Sequence, residues 1–246
     1  MIDAHTHLNL ESENPIQEYI DFLNETEIES SVLILNSMEE SNVFWDNKGE
    51  ILDNHNVHVA FLLDINNTGY FENNVKRMQE YGLSYSIKLH PRLTNISEKD
   101  FGAIAKYVEN FDYKNIIIDS FLYGSNKDSI CFIELSTFLA KIFSEKNIVM
   151  AHFGGIKVLE TMLRTREIHN IFYDCSFSMN YLFGTSVWTD LRHCILHNIN
   201  RVIYGSDRPS FCTRDSKSMA MRLLGNQSEE IYSNIFTENA RRLYFK

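Results

Sequence analysis

The sequence predicts a (β/α)₈ TIM barrel of distorted, metal-dependent-hydrolase type, and three observations carry that expectation. Eight short runs rich in Val, Ile, Leu, Phe and Tyr recur along the 246 residues, each followed by a longer segment of helical periodicity. Several of those runs, such as Ser31-Val32-Leu33-Ile34-Leu35 and Ile116-Ile117-Ile118, are apolar almost throughout, as parallel strands buried on both faces are. The length matches one barrel, for which about 250 residues is typical. Residues 1–246 are therefore expected to form one domain, with no linker and no repeat beyond the βα unit.

Strands are expected at about 1–7, 30–36, 57–63, 84–90, 115–119, 147–152, 170–175 and 201–206. Between them, Pro15 opens a helix carrying Ile16, Tyr19, Ile20 and Leu23. Ser97-Glu98-Lys99-Asp100 caps another through Ile104, Tyr107 and Val108, and Asp128 opens one through Leu135, Phe138, Leu139 and Ile142. An open doubly wound sheet would need a phosphate-binding glycine turn after the first strand. His5, His7 and Asn9 stand there instead, and Gly154-Gly155 lacks the third glycine of a dinucleotide fingerprint.

Composition narrows the function. A hydrophobic share of 44% and a charged share of 23% are those of an ordinary globular protein. A net charge of −10 without Lys/Arg runs argues against a nucleic-acid partner and leaves a small molecule as the expected one. No apolar run approaches the roughly 20 residues that span a bilayer, so no membrane partner is expected. Strand-like sequence from Ile2 leaves no room for a signal peptide, and a cytoplasmic location is expected. Cys131, Cys175, Cys194 and Cys212 form no CxxC pair, so neither disulfides nor a zinc-thiolate site are expected.

Chemistry on this fold gathers at the C-terminal strand ends. There the sequence places His5 and His7, Lys88 and His90 with Pro91, Asp119, His152, Asp174, and Ser206 with Asp207 and Arg208. His5 and His7 are two apart and share a face if the strand alternates regularly, so two imidazoles address one point. Taken alone, such a pair is as readily a coincidence as a metal claw.

Four segments together carry a family resemblance: Ile2-Asp3-Ala4-His5-Thr6-His7, Ile87-Lys88-Leu89-His90-Pro91, Ala151-His152-Phe153-Gly154-Gly155 and Tyr204-Gly205-Ser206-Asp207-Arg208-Pro209. In order and position they resemble the amidohydrolase superfamily, in its amidohydrolase-related branch, and the closing Glu238-Asn239-Ala240-Arg241-Arg242-Leu243 is similar to that family's last helix. The resemblance implies a barrel whose members include metal-dependent hydrolases and decarboxylases and metal-free lactonases. It implies that His5, His7 and Asp207 hold a divalent metal, zinc or else manganese, that Asp207 takes the proton of the attacking water, and that His152 contacts substrate or moves a proton. Metal-dependent members carry a histidine on strand five, where this chain has Ile118-Asp119-Ser120. Asp119 is then either a substitute oxygen ligand or the cap of the next helix.

Around this core, Lys88 and His90 share a face and, with Arg92 and Arg208 at the rim, are the expected substrate-binding groups. Lys88 binds a substrate carboxylate, serves as a base of shifted pKa, forms a carbamate, or pairs with Asp119 or Asp174. Asp207 has the competing role of a helix cap. His193 and His197 have metal-capable helical spacing but belong to an outer helix, and His55, His58 and His169 fall at the opposite face of the barrel. The leading expectation is a hydrolase of a small carboxylated substrate with an amide, ester or lactone bond. A metal-independent lactonase, a non-oxidative decarboxylase and a catalytically silent binding barrel are the alternatives; a nuclease is disfavoured by charge. A homodimer is left open, since no interface is marked.

Overall fold

The computed structural model describes residues 1–25, 28–123 and 131–246. Its eight strands form one parallel sheet in sequence order: β1 (Ile2–Thr6), β2 (Ser30–Leu35), β3 (Asn56–Leu62), β4 (Tyr85–Leu89), β5 (Asn115–Asp119), β6 (Asn147–Ala151), β7 (Ile171–Asp174) and β8 (Val202–Ile203). Each lies where the apolar runs predict. β8 stops short of 206 because Tyr204 turns its N–H to the carbonyl of Ile235. The barrel is closed by three bonds to β1 in its place: Ala4 N to Tyr204 O at 3.0 Å, Asp207 N to His5 O at 2.9 Å and His7 N to Arg208 O at 2.9 Å.

Strand alternation divides the apolar residues into two layers. Leu33, Leu35, Ile87, Leu89, Ile116 and Ile118 face outward against the helices, where Tyr19, Phe71, Ile104 and Leu139 meet them. Val32, Ile34, Ala60, Ile117, Val149 and Phe172 fill the interior, whose N-terminal end is plugged by Ala240, Leu243 and Tyr244 from the closing segments of the chain. Helices run over Pro15–Glu25 and Phe101–Val108 as expected, the second behind a reciprocal Ser97–Asp100 capping box. The next helix covers Phe132–Ile142; its expected opener, Asp128, lies outside the described residues. His193 and His197 sit at the end of the outer helix Ser186–Leu196, as the spacing suggested. Among the described residues no helix is long and apolar enough to cross a membrane.

One departure from regularity decides the mouth. Ile2 and Ala4 point into the barrel, so regular alternation would send His5 and His7 out among the helices. The register with β2 runs Asp3 to Ser31 and then Thr6 to Leu33, three steps on β1 against two on β2. This bulge inserts the extra residue that turns both histidines inward, while Thr6 faces outward to Tyr19 and Ser31 at 3.0 and 3.1 Å. The shared face of His5 and His7 is thus correct, but for a reason that alternation alone does not contain.

Asp3 pins the bulge. Its Oδ1 accepts the Ser206 amide at 2.8 Å and the His5 amide at 3.4 Å, and burial pushes its carboxyl pKa up to about 7 from an ordinary 3.8. A folded pKa above the unfolded one means that the native state holds the proton longer, so stability falls as pH rises between those two values. Asp3→Asn keeps the acceptor without the charge. Its stability relative to the parent should therefore rise from about pH 4 to about pH 7 and level off above; equal pH profiles in denaturant titrations would contradict this.

Candidate active site

The bulge brings His5 against β8, and only glycine permits the approach. A Cβ at Gly205 would lie 2.6 Å from the Cβ of His5 and 3.0 Å from Oδ1 of Asp174. With that gap open, Asp207 Oδ1 reaches 3.3 Å from His5 Nε2 and 4.0 Å from His7 Nε2. Asp207 itself has φ 61°, a left-handed conformation that turns its carboxylate over the mouth. Asp207 caps no helix among the described residues: the next begins at Thr213, behind Cys212.

The protons of both histidines lie on the far side. His7 Nδ1 is 2.9 Å from the Ile34 carbonyl, which can only accept, so its proton sits there. Burial first, then the neighbouring His5, pulls the pKa of His7 down to about 3, and Nε2 is a free lone pair. His5 Nδ1 lies 2.5 Å from Asp174 Oδ2, and Asp174 also accepts the amide and hydroxyl of Ser176 at 2.7 and 2.8 Å. His5 is held well below its ordinary pKa by burial and by the positive charge of Lys88, while burial raises that of Asp174. The single His5 proton faces Asp174, and its Nε2 is a second lone pair. Two imidazole lone pairs and a carboxylate oxygen therefore face one another with no proton among them.

A second group is built on Asp119, the strand-five residue. Its Oδ2 takes His152 Nε2 at 3.2 Å and His90 Nε2 at 3.5 Å, so Asp119 serves these imidazoles, and among the described residues it caps no helix. His152 occupies a left-handed turn, φ 65°, continued by Phe153 and Gly154 at 47° and 78°. Its Nδ1 meets the Ser176 carbonyl at 3.1 Å. Burial opposes a charge on His152, but the hydrogen bond and charge of Asp119 outweigh it and hold the pKa above 6.5. Burial at Asp119 is likewise outweighed by His90, His152 and Lys88, which hold its carboxyl well below the usual range. Burial lowers the pKa of His90 to about 4.

Lys88 is 1% exposed at the end of β4. Among the described residues it pairs with neither Asp119 nor Asp174, although both, with Asp207, oppose the lowering of its pKa by burial. These groups line a cavity of about 150 Å³ that also takes in Asn36, Arg92, Phe121, Tyr123, Phe177 and Ser210. That is room for a small molecule. Arg92 lies over the Tyr123 ring at 3.9 Å and donates to its hydroxyl. Arg208 corrects the sequence expectation. Its guanidinium leaves the mouth to pair with Glu18 at 3.0 Å and to cover Phe22, because the chain reverses after Asp207 and sends the next side chain outward.

Of the expected site residues, the mouth thus collects His5, His7, Lys88, His90, Arg92, His152 and Asp207, and excludes Arg208. The buried trio whose ligand atoms lie within 4.8 Å of one another is His5, His152 and Asp207, so His152 crowds the pair more closely than the expected partner His7. Both ring nitrogens of His152 already face acceptors, however, which leaves it no lone pair to offer. His5, His7 and Asp207 remain the set whose chemistry fits a divalent cation. Asn36 falls at the end of β2, where the strand-end rule would have found it. Phe121 and Phe177 carried no signal.

By sequence, the chain matches no protein-family model and no curated protein. Its fold does match solved structures over nearly its whole length. An uncharacterized TIM-barrel protein from Bordetella bronchiseptica is 13% identical with a TM-score of 0.71, over 99% of this chain and 98% of that one. The fold is a TIM barrel. A probable 2-pyrone-4,6-dicarboxylic acid hydrolase from Acinetobacter baumannii, solved with citric acid bound, is 15% identical with a TM-score of 0.65 over 98% of each chain. A dihydroorotase from Campylobacter jejuni is 15% identical with a TM-score of 0.63, over all of this chain and 84% of that one.

Two substitutions probe the geometry. Gly205→Ala should displace His5 and lower any activity of the mouth by at least about tenfold while the protein still folds, read from circular dichroism beside turnover. Asp119→Asn removes the partner that keeps His152 charged; the His152 pKa in an NMR titration should fall, and an unmoved value would discard the assignment.

Proposed function

We propose that the chain is an amidohydrolase-type hydrolase acting on a small carboxylated molecule with an amide, ester or lactone bond. One observation carries this reading: the lone pairs of His5 Nε2 and His7 Nε2 face the carboxylate of Asp207 at the barrel mouth, with their protons fixed on the opposite nitrogens. The TIM-barrel fold shared with a probable 2-pyrone-4,6-dicarboxylic acid hydrolase and a dihydroorotase supports it.

The donor set of His5, His7 and Asp207 suits zinc, with manganese next. A divalent cation held there would supply Lewis acidity to the scissile carbonyl and the attacking water. The chain's own groups divide the remaining work. Asp207, at the mouth and within reach of both imidazoles, takes the proton of water as general base. Lys88 donates to the oxygen on which negative charge develops. His152, whose two N–H groups are taken by Ser176 and Asp119, stands beside it as a positioned imidazole. Asp174, behind the cavity wall, and Asp119, at it, hold His5 and His152 in orientation and protonation state. Arg92 at the rim takes the substrate carboxylate together with a second N–H of Lys88.

The buried ammonium of Lys88 favours a second reading, a lactonase that polarises the carbonyl with Lys88 and works without metal. Elemental analysis of protein purified without chelators, combined with Asp207→Asn and a panel of lactones, esters and amides, separates the two. Stoichiometric zinc or manganese, lost together with activity in the variant, is the expected result, with turnover down by about 10²-fold or more. Metal-free protein that hydrolyses lactones supports the second reading. Inactivity across the panel sinks both and leaves a decarboxylase or a silent binding barrel.

A further inference from the structure

The turn after β7 has the most unusual backbone at the mouth. Phe177 has φ 56° and ψ −57°, and the Ser178 amide donates to the Ser176 carbonyl at 2.5 Å. This is a γ-turn centred at positive φ on a residue with a bulky side chain, a rare and strained form. Both serines are fully buried and bound to the site. Ser176 donates twice to Asp174 and faces Nδ1 of His152 with its carbonyl, and Ser178 Oγ donates to the His152 carbonyl at 2.6 Å. Bonds to two site residues thus hold the strained turn in place.

Its result is the placement of one ring. Phe177 lines the cavity in a T-shaped contact with Phe121 at 4.7 Å, stands 5.7 Å from the His152 ring, and is stacked on Tyr181 at 5.1 Å. Phe121 lies 6.2 Å from the same histidine. The walls of this small cavity thus offer aromatic rings beside two cationic side chains, Lys88 and Arg92. Ring faces and edges favour another flat π-system over a puckered saturated ring.

We propose that Phe177 is a specificity-determining residue, held by the strained turn so that with Phe121 it admits flat conjugated acids and disfavours saturated ring acids of equal size, the carboxylate going to Lys88 and Arg92. This rests on reading the mouth as the substrate site. Its test needs no turnover, so it can fail or stand apart from the hydrolase reading.

Calorimetric titration of the intact protein with benzoate and with cyclohexanecarboxylate compares the two shapes at one carbon count. Benzoate is expected to bind at least about fivefold tighter. Phe177→Leu, which keeps apolar bulk without a flat face, should bring the ratio near one, whereas Lys88→Met should weaken both acids together. Thermal melts give an independent reading: Phe177→Gly should melt above Phe177→Ala, because glycine occupies positive φ without strain. Equal affinities in the parent, an unchanged ratio in Phe177→Leu, no binding of either acid, or Ala melting above Gly would each overturn the proposal. Inactive protein that keeps the ratio would count against hydrolysis alone, and active protein without it against Phe177 alone.

Discussion

The close passage of β8 beside β1 is the constraint on which the mouth depends. Without a side chain at Gly205, the Asp207 amide can bond the His5 carbonyl, and the His5 ring can lie between Asp174 and Asp207. The β1 bulge supplies the other half of that meeting by turning His5 and His7 inward. Asp3 fastens both, since its one oxygen accepts the amides of His5 and Ser206. Barrel closure and assembly of the site are therefore a single event: whatever loosens the first strand from the last also separates the carboxylate from its imidazoles.

Electrostatically the mouth is divided. On one side His5 and His7 are neutral, with burial holding their pKa values low. On the other, Asp119 keeps a carboxylate and His152 its extra proton, each through the other. Neighbouring groups pushed in opposite directions are the usual basis for separating base from acid in one cavity. Lys88 stands buried near both, its pKa lowered by burial against the pull of Asp119, Asp174 and Asp207, so a carboxylated ligand entering from solvent meets donors already in place.

Much of this was legible in the sequence. Uninterrupted apolar runs at even spacing announced eight parallel strands because burial on both faces leaves no polar alternation, and strand ends collected the ionisable residues because loops at that end build the site. Other features were hidden for physical reasons. The bulge depends on how β1 pairs with β2, a tertiary relation that no spacing rule contains. Arg208 looked like a substrate group because it follows Asp207, but the positive φ of Asp207 reverses the chain and sends it to Glu18. Asp119 was visible as an exception at strand five, while its service to two histidines needed their coordinates. Phe177 owes its place to backbone geometry that disfavours its residue type, which is why residue preferences could not point to it.

The interior plug of Ala240, Leu243 and Tyr244 has a consequence for how such a chain folds. It draws on the last residues of the chain, and the seam it stands beneath joins Asp3 to Ser206 across 203 positions. Contacts of that separation close long loops, and they form late and slowly. Until they form, β1 has one bare edge and the barrel one open end, both rich in apolar side chains. An edge left bare in this way is the kind of surface with which a second chain pairs, so the seam that closes the barrel also protects the chain from its own copies.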